Sequence, residues 1–225
     1  MQMRRLHMRY GALPVVLGAL VGACDGGESA QLAPLTLSMQ RSDIPIASAT
    51  AGDDGATSNG GSVFGASDIA TLTVTITSID ALPHGSLDDE RAWVSIALNA
   101  PVTLDLLALP VEGESPLVIA SGLAQVGAYE GVRLFVSSAQ IEFANDLALG
   151  GATYEAGVAY DVIIPSGAQT GVKTDVAFEI VLDDTDTPTE VHLLFVEGAT
   201  FANATITGSG DVMLAPVIKG VARAR

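Results

Sequence analysis

The stretch Ala70-Thr71-Leu72-Thr73-Val74-Thr75-Ile76-Thr77 decides the fold. Leu72, Val74 and Ile76 fall on one side of it, and Thr71, Thr73, Thr75 and Thr77 on the other. A strand turns successive side chains to opposite faces, so this period of two predicts a strand with one face on a core and the other toward water. Four β-branched threonines on the polar side suit a pleated, half-buried surface.

The same pattern recurs outward from there. An apolar segment at 34–39 precedes it, and β-branched or apolar runs follow at 92–98, 102–107, 117–120, 132–143, 160–164, 176–182, 191–196, 200–206 and 212–218. Turn signals separate them, among them Pro83-His84-Gly85-Ser86, Gly150-Gly151, Pro165-Ser166-Gly167 and Gly208-Ser209-Gly210. About ten short strands with frequent turns, and no long helical period, predict an all-β fold, an antiparallel β-sandwich or barrel-like domain. One such domain is expected over 34–221, with a short tail at 222–225. Inside it, residues 42–68 are rich in Gly, Ser, Ala, Thr and Asp, have little to bury, and read as a flexible loop.

Composition excludes several classes. The 225 residues carry 10 Lys+Arg against 26 Asp+Glu, a formal charge of -16, so a nucleic-acid partner is not expected. A hydrophobic share of 48% with 16% charged residues argues against disorder. The single cysteine allows neither an internal disulfide nor a thiolate metal cage.

That cysteine stands at the end of a tripartite leader. Arg4, Arg5 and Arg9 form a basic section, an apolar section runs over 11–21, and small residues lead to Cys24. The apolar section is too short to span a bilayer and has the layout of a secretory signal, expected over 1–23. Leu20-Val21-Gly22-Ala23-Cys24 resembles the bacterial lipobox, whose cysteine is lipidated and becomes the new N-terminus. The expected partner of Cys24 is therefore a membrane, reached through a lipid anchor, in a bacterial cell envelope, with the domain periplasmic or surface-exposed. One acyl chain holds a protein only marginally, so the two or three chains of a lipidated cysteine are what make such an anchor stable. Cleavage would remove three arginines and no acid, taking the formal charge from -16 to -19. Residues 24–33 read as the lipidated cysteine and a polar tether.

Four segments carry a family resemblance. Val102-Thr103-Leu104-Asp105-Leu106-Leu107-Ala108-Leu109, Gly127-Ala128-Tyr129-Glu130-Gly131-Val132-Arg133-Leu134, Pro165-Ser166-Gly167 and Leu214-Ala215-Pro216-Val217-Ile218-Lys219 follow one another in order. Together they resemble the bacterial lipoproteins classed as domain of unknown function 4382, over roughly 34–221. The resemblance implies a β-sandwich similar to transthyretin-like or carboxypeptidase-regulatory modules, with no established activity. Against the family pattern, Val191-His192-Leu193-Leu194-Phe195-Val196-Glu197 is mainly apolar, and the Gly/Ser stretch before Ala70 reads as an insertion.

Candidate chemistry is sparse. The sequence holds no Gly-x-Ser-x-Gly elbow, Walker loop, His-Glu-x-x-His or dinucleotide glycine fingerprint. Ser166 with His192 and an aspartate would make a triad on paper, but Pro165-Ser166-Gly167 reads more economically as a turn. His84 is expected to be solvated in its Pro-Gly turn, and His192 to be a structural histidine in an apolar strand. Asp183, Asp184 and Asp186 follow a strand and precede Pro188, so their oxygens are a weak candidate site for Ca²⁺, and Asp88-Asp89-Glu90 is a second such cluster. The bland alternative for both is a solvated acidic loop. No other cofactor is expected.

Trp93 is assigned to core packing, while Tyr129, Tyr154 and Tyr160 lie near strand ends where a binding surface could form. Arg133 is expected on the face opposite Val132, Leu134 and Val136, in an ion pair with Glu179. These readings favour a non-catalytic binding or structural module with an unknown envelope protein or glycan as partner. The alternatives are a surface adhesin or glycan-binding protein, and a metal-dependent hydrolase using the acidic loops.

Overall fold

The computed structural model describes residues 30–42, 64–86, 92–96, 101–182 and 187–222. Cys24, Asp183, Asp184, Asp186 and the 88–90 cluster lie outside these residues, as do 43–63 of the expected flexible loop. At the two ends of that loop, Ser42 closes the first strand, and Phe64 is buried just before a 3-10 turn at Ala66–Asp68.

Among the described residues the chain forms fourteen strands and one short helix. In order these are β1 (Leu32–Ser42), β2 (Ile69–Pro83), β3 (Val94–Ile96), β4 (Val102–Asp105), β5 (Leu117–Gln125), β6 (Gly127–Phe143) and β7 (Leu147–Leu149). Next come β8 (Ala152–Tyr154), β9 (Ala159–Ile163), β10 (Val172–Ile180), β11 (Thr189–Val196), α1 (Glu197–Ala202), β12 (Thr205–Ile206), β13 (Val212–Met213) and β14 (Ile218–Ala222).

The strands build two main sheets of a predominantly antiparallel, sandwich-like domain. The smaller runs β14-β11-β1-β5. The larger runs β12-β13-β9-β6-β2-β3, with β10 added to β6 and β4 to β2, while β7 and β8 make a separate hairpin. Antiparallel pairing is not universal, because β1 lies parallel to β11, and β13 parallel to β9. Neither parallel pair is adjacent in the chain, and a parallel partner must return by a long crossover that local alternation does not encode.

The two longest strands, β2 and β6, form the backbone of the larger sheet. Their pairing shifts register at several places, between Thr75 and Ile76 and between Leu82 and Pro83 among others. Bulges of this kind let a long strand bend while re-aiming its side chains. Within β2, Leu72, Val74 and Ile76 are buried and Thr71, Thr73 and Thr75 are half-buried, as the alternation predicts.

The inner faces of the two sheets share one core. Leu35, Leu37 and Met39 of β1 and Val191, Leu193 and Phe195 of β11 join Leu72, Ile79, Leu134, Ile141 and Phe143 of the larger sheet. A small void of about 10 Å³ marks the seam, walled by Met39 and Ile218 on one side and Val74, Ile76 and Leu134 on the other. Burying each such aliphatic or aromatic side chain contributes about 1.5–3 kcal/mol against leaving it exposed.

The run at 200–206, read from its sequence as a strand, is instead α1 followed by the two residues of β12. Tertiary burial overrides the β-branched pattern. Thr200 is fully buried and accepts a hydrogen bond from the Val217 N–H at 2.8 Å, while Phe201 enters the core. Asn203 closes the helix by donating from Nδ2 to the Ala199 carbonyl at 3.0 Å. The run at 212–218 likewise divides, into β13 and the start of β14 in different sheets. No helix among the described residues is long and apolar enough to cross a membrane.

Candidate functional site

The outer face of the larger sheet carries a cluster that the strand register assembles from four strands. Ser95 of β3 stands beside Asp80 of β2, Asp80 beside Arg133 of β6, and Arg133 beside Lys173 of β10. In the adjoining row Leu82 pairs with Gly131, and Gly131 with Asp175.

Arg133 does leave the core face that Val132, Leu134 and Val136 occupy, but its ion-pair partner is Asp80 and not Glu179. Its Nη2 lies 2.9 Å and its Nε 3.0 Å from the same Asp80 oxygen. Glu179 sits further along β10 opposite Ala128, out of the Arg133 row. The Arg133 side chain is only 6% exposed and that of Asp80 13%. A charge sealed to this degree needs a partner, and two donors converging on one carboxylate supply it.

Trp93 helps to seal the pair. The guanidinium carbon of Arg133 lies 4.7 Å from the centroid of the Trp93 ring and 4.7 Å from that of Phe135, and Lys173 Nζ is 5.4 Å from Trp93. All three distances are within cation–π range. The expected core role of Trp93 is therefore corrected, since the residue is half-buried on the outer face. Gly131 shapes the floor beneath it. A β-carbon there would stand 3.5 Å from Trp93 Cη2 and 3.6 Å from Leu82 Cβ, so a longer side chain would fill the space the indole overlooks.

These residues wall a cleft of about 370 Å³ between Trp93 and Leu82 on one side and Glu130, Lys173 and Asp175 on the other. The Glu130 carboxylate is held from outside, 3.1 Å from Nδ1 of His84 and accepting from the Gly85 N–H at 3.3 Å. His84 is solvated in its turn, with its side chain 72% exposed. The cleft is thus lined by one indole, one ammonium, two carboxylates and an apolar patch, carried by β2, β6, β10 and the residue that precedes β3.

The tyrosines expected near a binding surface divide differently. Tyr129 is buried, stacks on Phe178 with centroids 5.1 Å apart, and donates to the Gln125 carbonyl at 2.8 Å. Tyr154 is buried against Phe143 and donates to the Gly210 carbonyl at 2.6 Å. Desolvation raises both phenols above their ordinary pKa, with Asp211 and Tyr160 adding to the effect on Tyr154. Tyr160 packs edge-on against Tyr154 and accepts from the Glu155 N–H at 2.6 Å.

His192 finds a serine, though not Ser166. On the outer face of the smaller sheet its Nδ1 lies 2.8 Å from the Ser38 hydroxyl, and its Nε2 lies 3.5 Å from a Glu190 oxygen. Ser38 and His192 are both buried. Ser166 occupies the turn expected of it, with φ 59° and its carbonyl accepting from the N–H groups of Gln169, Thr170 and Gly171. Among the described residues no group of three His, Cys, Asp or Glu side chains converges to hold a metal ion.

Sequence reasoning singled out Arg133 and Trp93 but missed Asp80, Glu130, Lys173 and Asp175. Two signals were there to be used. Asp80 interrupts the apolar Ile79-Asp80-Ala81-Leu82 end of β2, and Gly131 interrupts a strand of β-branched and bulky residues.

Residues 65–192 match the family model described as a domain of unknown function (DUF4382). The chain belongs to that family. The match covers a little over half of the sequence, narrower than the 34–221 expected, and the DUF4382 segment contains every residue of the cleft but neither β1 nor β14. No curated protein and no solved structure matches the chain. Membership in DUF4382 carries no activity with it.

Proposed function

We propose that the protein is a lipid-anchored module of the bacterial cell envelope, periplasmic or surface-exposed, that binds a ligand without transforming it. The observation that carries the binding half is the Trp93 cleft. Its walls combine one aromatic plane with a few polar groups on a rigid sheet, the composition that favours recognition. The anchoring half rests on Leu20-Val21-Gly22-Ala23-Cys24 at the end of an apolar leader. A transthyretin-like or carboxypeptidase-regulatory-like sandwich is the finer fold reading that accompanies it.

The anchor is tested by Cys24→Ala in the full chain, followed by membrane fractionation and metabolic labelling with a fatty acid. Release of the variant into the soluble fraction with loss of label is expected; a variant that stays labelled and membrane-bound would sink the lipobox assignment. The binding half is tested by following the emission of Trp93, the one tryptophan of the sequence, in the full chain against a panel of small sugars, amino acids and nucleotides: a saturable change with at least one is expected, and none with any of them would count against a ligand site at the cleft.

A further inference from the structure

We propose that the outer edge of β5 pairs with β5 of a second copy of this chain, antiparallel and about a two-fold axis, so that two smaller sheets join into one. The proposal makes no use of the Trp93 cleft and is tested apart from it.

β5 ends the smaller sheet. β1 pairs with one of its edges, and no strand among the described residues pairs with the other. β3, the last strand of the larger sheet, passes near β5 without joining it. The nine residues of β5 span about 30 Å, so a long row of backbone N–H and C=O groups is turned outward. Such a row is a template for another strand, and proteins commonly blunt it with charge, proline or a very short strand. Leu117–Gln125 has no charged residue and no proline, and the uncharged run extends over 115–129. The one register shift against β1 falls beside Ile119 and leaves 120–125 regular.

Apolar side chains gather at the same place. Of the eight large apolar side chains exposed among the described residues, Leu117, Val118 and Leu123 are on β5 and Leu32 is on β1. Val118 is 56% exposed and Leu123 59%. Leu123 stands opposite Pro34, on the face of the sheet turned away from the core.

Charge selects the occupant. The chain carries a formal charge of -16, so two copies repel over most of their surface, and the uncharged strip is where they can approach. A basic partner would be drawn to the acidic surface and would gain nothing from a neutral strip. A second copy offers the same strip in return, the self-complementarity that a two-fold interface requires. With the axis at Gly122, Ser121 meets Leu123 on the outer face and Ala120 meets Ala124 on the inner one, so the alternation of the two strands agrees. One strand pair is a small interface, so the dimer is expected to be reversible, with a dissociation constant on the order of micromolar.

The test is sedimentation equilibrium of the full chain in a density-matched polyoxyethylene detergent, from about 1 to 200 µM. A monomer–dimer equilibrium is expected, and it should tighten as salt rises from about 0.02 to 0.5 M, because screening relieves the repulsion of two acidic bodies. Leu123→Glu, at an exposed position, should weaken the dimer about tenfold or more without moving the unfolding midpoint. Adding Ser121→Lys to that variant should restore it, because each new cation then faces a new carboxylate across the seam. A single monomeric species over the whole range, a dimer that Leu123→Glu leaves unchanged, or one that salt weakens overturns the proposal. Failure of Ser121→Lys to restore the dimer overturns the axis at Gly122. A monomeric Cys24→Ala chain that floats with uncharged phosphatidylcholine vesicles, and no longer does so with Leu123→Glu, would assign the strip to a lipid surface and overturn the second copy.

Discussion

Asp80 and Arg133 face each other across β2 and β6, two donors of the guanidinium meeting one carboxylate oxygen at 2.9 and 3.0 Å under the rings of Trp93 and Phe135. The pair is nearly sealed from solvent, so its two halves are not independent. Removing one leaves the other charged in a poorly solvated place. Asp80→Ala should destabilise the fold by about 3–5 kcal/mol, whereas Asp80→Ala with Arg133→Met should recover most of the loss. Urea unfolding of the three variants checks this, and additive losses in the double variant would contradict it.

Gly220 of β14 passes so close to Val176 of β10 that a methyl group on it would overlap the Val176 Cβ. The two strands belong to different sheets, so the missing side chain is what lets the layers meet here. Gly220→Ala should cost about 1–3 kcal/mol through overpacking. Trimming the neighbour to alanine removes only the two Cγ atoms, which would stand 2.8 Å from the new methyl, and keeps the Cβ. Val176→Ala should therefore fail to rescue Gly220→Ala in a thermal melt; full rescue would mean that the clash lies with the branches.

His192 and Ser38 couple β11 to β1 by a side-chain hydrogen bond at 2.8 Å in a buried setting. The Ser38 contact satisfies Nδ1, whereas Nε2 is buried without a hydrogen bond among the described residues, 3.5 Å from a Glu190 oxygen. Ser38→Ala should cost about 1–3 kcal/mol by leaving a second buried nitrogen of the imidazole without a partner. Binding at the Trp93 cleft, on the other sheet, should be unchanged in the same variant. A stability loss within experimental error would show that the imidazole is satisfied in another way.

Tyr129 and Tyr154 hold their protons above the ordinary phenol range near 10 because burial disfavours the phenolate. A pKa raised on folding favours the protonated form in the native state. The resulting stability is complete below the unfolded pKa and is lost as pH rises through the folded one. Absorbance of the native protein at alkaline pH should show two tyrosines titrating late, and stability should fall from about pH 10 upward. Conversion of every tyrosine with a single ordinary midpoint would refute the burial argument.

What the sequence reveals follows from how far apart the partners are. Leu72, Val74 and Ile76 were legible because alternation is a property of neighbouring residues, and each is buried as read. Arg133 could be placed on the correct face for the same reason. Its partner could not, because Asp80 and Glu179 lie on different strands flanking β6, and bulges in both pairings move the register. The cleft was hidden for a related reason. Trp93 looked like core material when read alone, and only the row Leu82, Gly131 and Asp175 shows that a cavity opens beside it. The helix at 197–202 was missed because Thr200 and Phe201 carry strand propensities that burial against Val217 and the core overrules.

The parallel pairing of β1 with β11 governs the order in which the molecule can assemble. A chain delivered amino end first presents β1 at the outset, and β5 can join one of its edges once residue 125 has emerged. The other edge has no mate until β11 follows, and Ser38 and His192 are separated by 154 positions. Such distant pairing is slow to form, and an open strand edge can meanwhile recruit a foreign strand. The first strand of the domain is thus among the last to gain both its neighbours, and a fragment trimmed to 65–192 would lack β1, one of the two inner strands of the smaller sheet.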